Sequence, residues 1–534
     1  MAFDAIVIGS GFGGAITGCR LALAGYRVLI LERGRRWDNV ASPGRTPYPR
    51  EVSDPWVWNQ ERPEHLNGWF EIRSFPNMTV LAGAGVGGGS LVYANVSAEA
   101  PAHRFDQGWP AEITYAELKP YYDKVAQFLN VQTIPNNQWT ERTRLMHDGA
   151  AAIGEEARFR PVELAVSFDA DWTYDQPDPF NPAKSKRFLN AQGVEQGTCV
   201  HLGHCDLGCD VKARNTLDVT YIPVAEKHGA EVRPLHVVTN IAPAAGGYRV
   251  SWDRIEDGRR IPGAETARIV IVAAGSIGST ELLLRCRDEA GTLQGLPWLG
   301  RNWSSNGDFL TPAYHPDREV SFTKGPTISS IIDFLDGSFQ GHSFWVQDGG
   351  FPDAVTAWLR HLRDQPRADQ GFRTRLLLDA IQHLLDSRDP FRHVMPWFAQ
   401  AVDAGDGVLR LKRPWWFFGR PHLHLDWDAE RSEAAINAVV AMHKKLAEAT
   451  GGKPLVPPTW SLAKDLVTPH PLGGCNMSAS PEAGVVDHKG EVFGHKNLYV
   501  ADGAVIPEAL GVNPSRTIAA VAERIAAKII EDGR

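Results

Sequence analysis

At 534 residues the chain is too long for one hydrophobic core of usual size, so two domains are expected. Its 43% hydrophobic and 22% charged residues suit a globular protein, and a net charge of −8 with no basic block argues against nucleic acid as a partner. No apolar run reaches the ~18 residues of a membrane span, and the first strand starts too close to Met1 for a secretory signal, so a cytoplasmic protein is expected.

Residues 3–8 are an apolar run, 15–24 read as a helix closed by Gly25, and 26–31 as a second apolar strand closed by Glu32. This is one βαβ unit. Its turn is Gly9-Ser10-Gly11-Phe12-Gly13-Gly14. The first glycine permits the tight turn, the second lets a pyrophosphate reach the backbone, and the third lets helix pack on strand; Glu32 stands where a carboxylate accepts from a ribose hydroxyl. A ligand-free glycine turn is the bland alternative, and strand, helix and acid in register weigh against it. Residues 35–69 read as loop. The run Gly83-Ala84-Gly85-Val86-Gly87-Gly88-Gly89-Ser90 has little to pack and makes sense where bare backbone lies against a large flat ligand. Residues 115–128 have helical spacing, with Pro120 expected to break or restart the helix. Residues 130–195 are polar and proline-rich. A helix over 217–228, with Pro223 as a candidate interruption, leads into a strand over 231–240; strands over 248–252 and 267–274 follow. The latter enters Ala274-Gly275-Ser276-Ile277-Gly278 and a helix to Arg285. Further on, alternation predicts strands 343–347, 408–412 and 422–426, and 3.6-residue spacing predicts helices 355–363, 372–385, 432–450 and 515–531.

The tail carries the chemistry. Thr468-Pro469-His470-Pro471-Leu472-Gly473-Gly474-Cys475 precedes Ala501-Asp502-Gly503 and then Gly511-Val512-Asn513-Pro514. A histidine titrates near neutrality and suits removal of an alcohol proton. An asparagine amide donates a hydrogen bond without changing charge and suits holding the substrate oxygen. The bland alternatives are a structural histidine and a turn-forming Asn-Pro.

The glycine turn, the 81–96 run, residues 270–284 and the two tail segments together resemble the glucose-methanol-choline (GMC) oxidoreductases, in particular the cholesterol-oxidase-like branch. The resemblance implies an α/β protein: a Rossmann-like FAD-binding domain over 1–35, 79–100, 196–310 and 465–534, with an α+β substrate or cap domain built on an antiparallel sheet over 36–78, 101–195 and 311–464. It further implies FAD held by Gly9, Gly11, Phe12, Gly13, Gly14, Glu32, Arg33, Gly83, Gly85, Gly87, Gly88, Gly89, Ser90, Val238, Ala274, Gly275, Asp502, Gly503, Asn513 and Pro514. The adenine would lie near Val237-Val238, Asp502 and Gly503 along the ribityl chain, and Asn513-Pro514 beside the isoalloxazine. Some relatives tether FAD through a histidine in the glycine-rich loop; none stands between Leu81 and Ala102, so the FAD is expected to be non-covalent. The implied reaction is oxidation of an alcohol to a carbonyl, with hydride to flavin N5, His470 as base and Asn513 on the substrate oxygen. The expected substrate is a bulky apolar alcohol, steroid- or terpenoid-like, and the expected oxidant is O2 or another electron acceptor. The glutamate used by this branch for double-bond isomerisation would fall in 344–348, where Gln347 cannot act as a base.

Cys199, His201, His204, Cys205 and Cys209 put three thiols and two imidazoles within eleven residues. A metal-free packed loop, a zinc site and an iron–sulfur cluster feeding an outside carrier remain open, the first being expected. Helical spacing of Trp358, Leu359, Leu362, Leu376, Leu377, Ile381 and Leu384 is read as core, with a mobile lid or a membrane-docking face as alternatives. Trp415-Trp416-Phe417-Phe418 either lines a pocket or fills a sheet face. The rivals to an alcohol oxidase are a carrier-linked dehydrogenase, a nicotinamide-dependent monooxygenase (disfavoured because no second glycine-turn unit is found) and a non-catalytic flavin-binding protein.

Overall fold

A computed structural model describes residues 3–38, 46–47, 56–366, 371, 374–375, 378–379, 391–413 and 420–533. The fold is built from two sheets of opposite character. The first is parallel: β1 (Ala5–Ile8), β2 (Val28–Leu31), β3 (Glu231–Arg233), β4 (Ile269–Val272) and β5 (Leu498–Val500), in the order β3-β2-β1-β4-β5. The sequences AIVI, VLIL and IVIV are apolar throughout because both faces of β1, β2 and β4 are covered. Helix α1 (Phe12–Leu23) packs on this sheet, α2 (Gly275–Asp288) follows β4, and α3 (Ser515–Asp532) packs on α1.

The second sheet has six strands, in the order Lys453–Pro454, Phe309–Tyr314, Val394–Ala401, His342–Asp348, Ser330–Phe339 and Phe159–Pro161, all antiparallel. The long helix Ala429–Ala449 and the helix Glu141–Ala152 pack on it. The mixed α/β fold expected from sequence is therefore present.

Three expectations about local structure are corrected. The 231–240 run is two strands, because Pro234 offers no amide hydrogen and Leu235 turns with φ 58°. Its first half joins the parallel sheet and its second opens the meander His236–Ala244, Gly247–Glu256 and Arg259–Ala267. Pro120 lies inside an unbroken helix, Tyr115–Phe128. There Tyr122 bonds Thr517 through its hydroxyl and Arg516 through its carbonyl, and this packing against α3 overrides the lost backbone bond. The predicted 217–228 helix is shorter, Tyr221–Lys227, and Pro223 lies within it.

The hairpin Phe70–Phe75 and Met78–Gly83 carries the second glycine run, and its turn uses Asn77 at φ 59°. A row of alternating charges ties it to β2 and α2. Arg33 meets Glu71 at 2.7 Å, Arg73 meets Glu71 at 2.6 Å and also Glu281, and Arg285 meets Glu281 at 2.6 Å. Burial alone would raise the Glu71 carboxyl, but the Arg33 and Arg73 guanidinium groups outweigh it and hold it at about 2. The folded value lies below the ordinary 4.5, so this contribution to stability is complete above pH 4.5 and lost as pH falls toward 2. Its size is on the order of 3 kcal/mol. Denaturant titrations at pH 5 and pH 3 are expected to show a smaller acid loss in Glu71→Gln than in the parent.

The aromatic helix is observed as Ala354–Asp364; Leu359 packs with Phe322, Leu378, Phe391 and Val394 in a small apolar cluster, which favours the core reading. Most of 372–385, including Leu376, Leu377, Ile381 and Leu384, and all of Trp415-Trp416-Phe417-Phe418, lie outside the described residues.

Candidate active site

The N-terminal turn is packed to contact. A Cβ on Gly13 would stand 2.0 Å from the Ala501 carbonyl oxygen, and one on Gly14 would stand 2.0 Å from that of Gly9, so α1 sits directly against two strand ends. Gly9 itself turns at φ 95°. Ser10 ties this turn to both partners expected from the sequence. Its hydroxyl donates to Glu32 at 2.6 Å and accepts from the Gly87 amide at 3.1 Å. Glu32 also accepts from the Ser10 amide at 3.0 Å and the Gly34 amide at 2.9 Å. Arg33 is paired with Glu71 and lies over Trp58, 4.0 Å from the ring centre.

The second glycine run folds onto the first. Gly87 precedes a short turn, Gly88–Leu91, in which the Ser90 hydroxyl donates to the Gly87 carbonyl at 2.7 Å. Phe12 packs edge-on to Tyr93. Arg214 clamps the run from below through the carbonyls of Ser90, Leu91 and Tyr93. Across the sheet, buried Asp502 accepts from the Gly275 amide at 2.8 Å, the Ser279 hydroxyl at 2.5 Å and the Ala504 amide at 2.8 Å. Burial raises its carboxyl, and those three donors oppose the rise. Ala274 caps α2, and the Gly503 carbonyl accepts from Gly473 at 2.9 Å. Gly89 and Gly275 stand exposed, with no atom of the described residues within 4 Å of where a Cβ would project. Bare backbone and a helix N-terminus thus border an open cradle, which fits a dinucleotide. Val238 lies on the meander strand His236–Ala244, whose first residue donates its amide to the Glu32 carbonyl at 2.8 Å, and it lines a small pocket with Val237, Gln60 and Arg260.

His470 and Asn513, 43 residues apart in sequence, are brought together: the Asn513 Nδ2 stands 3.2 Å from the His470 Nε2. The other ring nitrogen, Nδ1, lies 2.8 and 3.0 Å from the two oxygens of Asp308, which is fully buried. With a carboxylate on Nδ1, that nitrogen carries the proton and Nε2 presents a lone pair. Thr468 completes the clamp, its hydroxyl 2.6 Å from Asp308 and accepting from the His470 amide at 2.9 Å. Phe398 flanks the imidazole, 6.5 Å between ring centres. Pro514 caps α3 directly after Asn513.

Asp308 belongs to a segment, Ser304-Ser305-Asn306-Gly307-Asp308, that the sequence reading passed over. Buried Asn306 accepts from the amides of Leu510 and Gly511 at 2.9 and 3.1 Å and donates to the Val512 carbonyl at 2.8 Å. One five-residue turn therefore grips His470 through Asp308 and the backbone before Asn513 through Asn306. Buried Asp403 anchors the turn from behind, accepting from Ser304 and Ser305 at 2.7 Å each. The only sequence signal was the polar run itself, in an otherwise apolar stretch.

The cysteines form a packed loop. Cys199, Cys205 and Cys209 are free, and burial raises the thiols of Cys199 and Cys205. His201 stacks on Trp172 at 4.2 Å and bonds Tyr174 and Gln138 through its two nitrogens; burial holds it down at about 3. His204 pairs with Asp210. Among the described residues no group of three or more His, Cys, Asp or Glu side chains is placed to hold a metal, and none of their helices is long and apolar enough to cross a membrane.

Comparison with known proteins decides the family. N- and C-terminal sequence models described as GMC oxidoreductase match residues 3–165 and 407–522. A cholesterol oxidase of Acinetobacter baumannii is 32% identical over 552 residues, covering 98% of this chain and 93% of the relative. The chain belongs to the GMC oxidoreductase family. As a GMC oxidoreductase it is an FAD-dependent alcohol oxidoreductase. A cholesterol oxidase of Mycobacterium tuberculosis is also 32% identical, covering 98% of this chain and 90% of its own. A long-chain-alcohol oxidase of Arabidopsis thaliana is 22% identical, covering 99% and 67%. Among solved structures, pyridoxine 4-oxidase from Mesorbium loti superposes with TM-score 0.63 at 16% identity, covering 98% of this chain and 99% of that one. The likeness at that identity is one of GMC fold.

Proposed function

We propose that this GMC enzyme oxidises a bulky apolar alcohol, steroid- or terpenoid-like, to the carbonyl compound, with His470 as base and Asn513 as the holder of the substrate oxygen. The observation that carries this reading is the buried Asp308 on Nδ1 of His470, which leaves Nε2 as a lone pair beside the Asn513 amide. A hydroxyl placed between the two gives its proton to Nε2 and accepts a hydrogen bond from Asn513 Nδ2. That bond keeps its direction as the alcohol oxygen becomes a carbonyl. The carbon loses hydride, the oxygen loses a proton, and the C=O bond forms. Bound FAD supplies the acceptor for the hydride, at its N5. Residues 9–14 and 83–90, with Glu32, Gly275 and Asp502, would hold it. Non-covalent binding is supported by the absence of any histidine between Leu81 and Ala102.

The apolar substrate class is supported by Phe398 beside the imidazole and by relatives named for cholesterol and for long-chain alcohols. A direct test is anaerobic bleaching of the bound flavin by sterols, terpenoid alcohols, aryl alcohols and sugars. Sterols or terpenoid alcohols are expected to bleach it at micromolar concentration. Bleaching by sugars alone, or by no alcohol, would reject the reading. Admitting air afterwards and assaying peroxide separates oxidase from carrier-linked dehydrogenase.

A further inference from the structure

The neighbours of Asn513 specify which way its amide faces. Gln347 is fully buried and sits opposite Phe398 on the neighbouring strand, so both side chains lie on the same sheet face. Its Nε2 donates to the Asn513 Oδ1 at 2.6 Å, while its own buried Oε1 has no hydrogen-bond partner among the described residues. A bare buried acceptor is costly, and an apolar residue of similar size would avoid it. The four polar side chains nevertheless form a consistent series. Asp308 as a carboxylate only accepts, so His470 Nδ1 donates to it; Nε2 accepts from Asn513 Nδ2; Asn513 Oδ1 accepts from Gln347.

We propose that Gln347 is a positioning residue that fixes the polarity of the Asn513 amide and so keeps Nε2 of His470 free of a proton until the alcohol arrives. The proposal rests on His470 being the base. If Nε2 gained a proton in the empty site, its N–H would face the N–H of Asn513. Relief requires Asn513 to turn its oxygen toward the ring, and that turn sets its nitrogen against the nitrogen of Gln347, so the buried Gln347 amide must turn with it. Gln347 thus opposes premature protonation through one intervening residue. When alcohol is bound, its oxygen stands between base and amide, and the same polarity favours proton transfer to Nε2. Among the described residues, Asp308 is the charged group in contact with His470. Asp348, next to Gln347 along the strand, faces the other way, held by Arg142, Ser329 and Ser330.

The test compares the pH dependence of kcat/KM for the parent, Gln347→Leu and Gln347→Glu, each loaded with flavin, alongside nitrogen-15 spectra of histidine-labelled protein without substrate. Leucine frees the Asn513 amide to turn, and an ionised carboxylate pulls its nitrogen away from His470. The acidic limb of the profile is expected to move up by about one pH unit in the leucine variant and further in the glutamate variant. The Nε2 signal should remain protonated to correspondingly higher pH. Packing damage alone would lower kcat without moving either readout. Parental limbs and parental nitrogen signals in both variants overturn the proposal. His470→Gln is the control: loss of turnover there with unmoved Gln347 variants sinks only the proposal, whereas retained turnover removes the base and takes the proposal with it.

Discussion

His470→Gln is expected to carry its flavin normally and to be reduced by its alcohol about 10²- to 10⁴-fold more slowly than the parent, the usual contribution of a positioned general base. Glutamine keeps a polar side chain of similar reach but has no lone pair basic enough to take the hydroxyl proton. The cofactor cradle should survive. The residues proposed to line it, Ser10, Glu32, Gly87, Gly275 and Asp502, bond to one another or to their neighbours, while the hydrogen bonds of the His470 ring go to Asp308 and Asn513. Stopped-flow reduction under anaerobic conditions measures the chemical step directly, and flavin absorbance per protein measures loading. A reduction rate within about threefold of the parent would reject His470 as the base. Loss of flavin instead of loss of rate would move the residue from chemistry to cofactor binding.

The features legible in sequence are those whose physics is local. The tight turn from β1 into α1 needs its glycines within six residues of one another, so Gly9, Gly11 and Gly14 announce themselves. Strands covered on both faces read as unbroken apolar runs, and hence β1, β2 and β4 are recognisable. His470 and Asn513 stand out because proline and glycine frame them. The partners of these two residues were not legible. Asp308 reaches His470 across 162 positions and Gln347 reaches Asn513 across 166. A buried carboxylate on a turn has no periodicity to betray it, and Gln347, named from the resemblance only as a glutamine where a base is implied, meets Asn513 only once strand and tail are brought together. The misread Pro120 and the split 231–240 run have the same origin. Propensity proposes a local conformation, and packing against α3 in one case and membership of two different sheets in the other decide it. In the cysteine loop the residues of ligand type have protein partners or are buried: Cys199 is buried, His201 stacks on Trp172 and His204 pairs with Asp210.

The largest effect outside the reacting residues is expected at Asp308. Asp308→Asn keeps the side-chain shape and volume, so the buried turn from Ser304 to Asp308 should persist, with Asn306 still holding Leu510 to Val512. What changes is proton placement. Two oxygens of Asp308 accept from Nδ1, and one also accepts from the Thr468 hydroxyl. An amide supplies one oxygen and one nitrogen to the same positions. When its nitrogen faces His470, Nδ1 must accept, the ring proton shifts to Nε2, and the lone pair that the mechanism requires is gone. When its oxygen faces His470, the proton placement survives but the charge that stabilises the forming imidazolium does not. Both outcomes slow the chemical step, the first by the wrong-tautomer effect, which in serine proteases costs about 10⁴-fold. A loss of about 10² to 10⁴ in the rate of flavin reduction is expected, with unchanged flavin loading and a melting temperature within a few degrees of the parent. A reduction rate within about tenfold of the parent would show that the carboxylate holds the fold and not the tautomer. Alanine at the same position is the less informative change, because it also removes one acceptor of the Thr468 hydroxyl, leaving it the Ser305 carbonyl at 2.8 Å, and takes the acceptor from the His470 Nδ1 N–H. The asparagine variant isolates the electrostatic contribution, since it alters where one proton resides and little else.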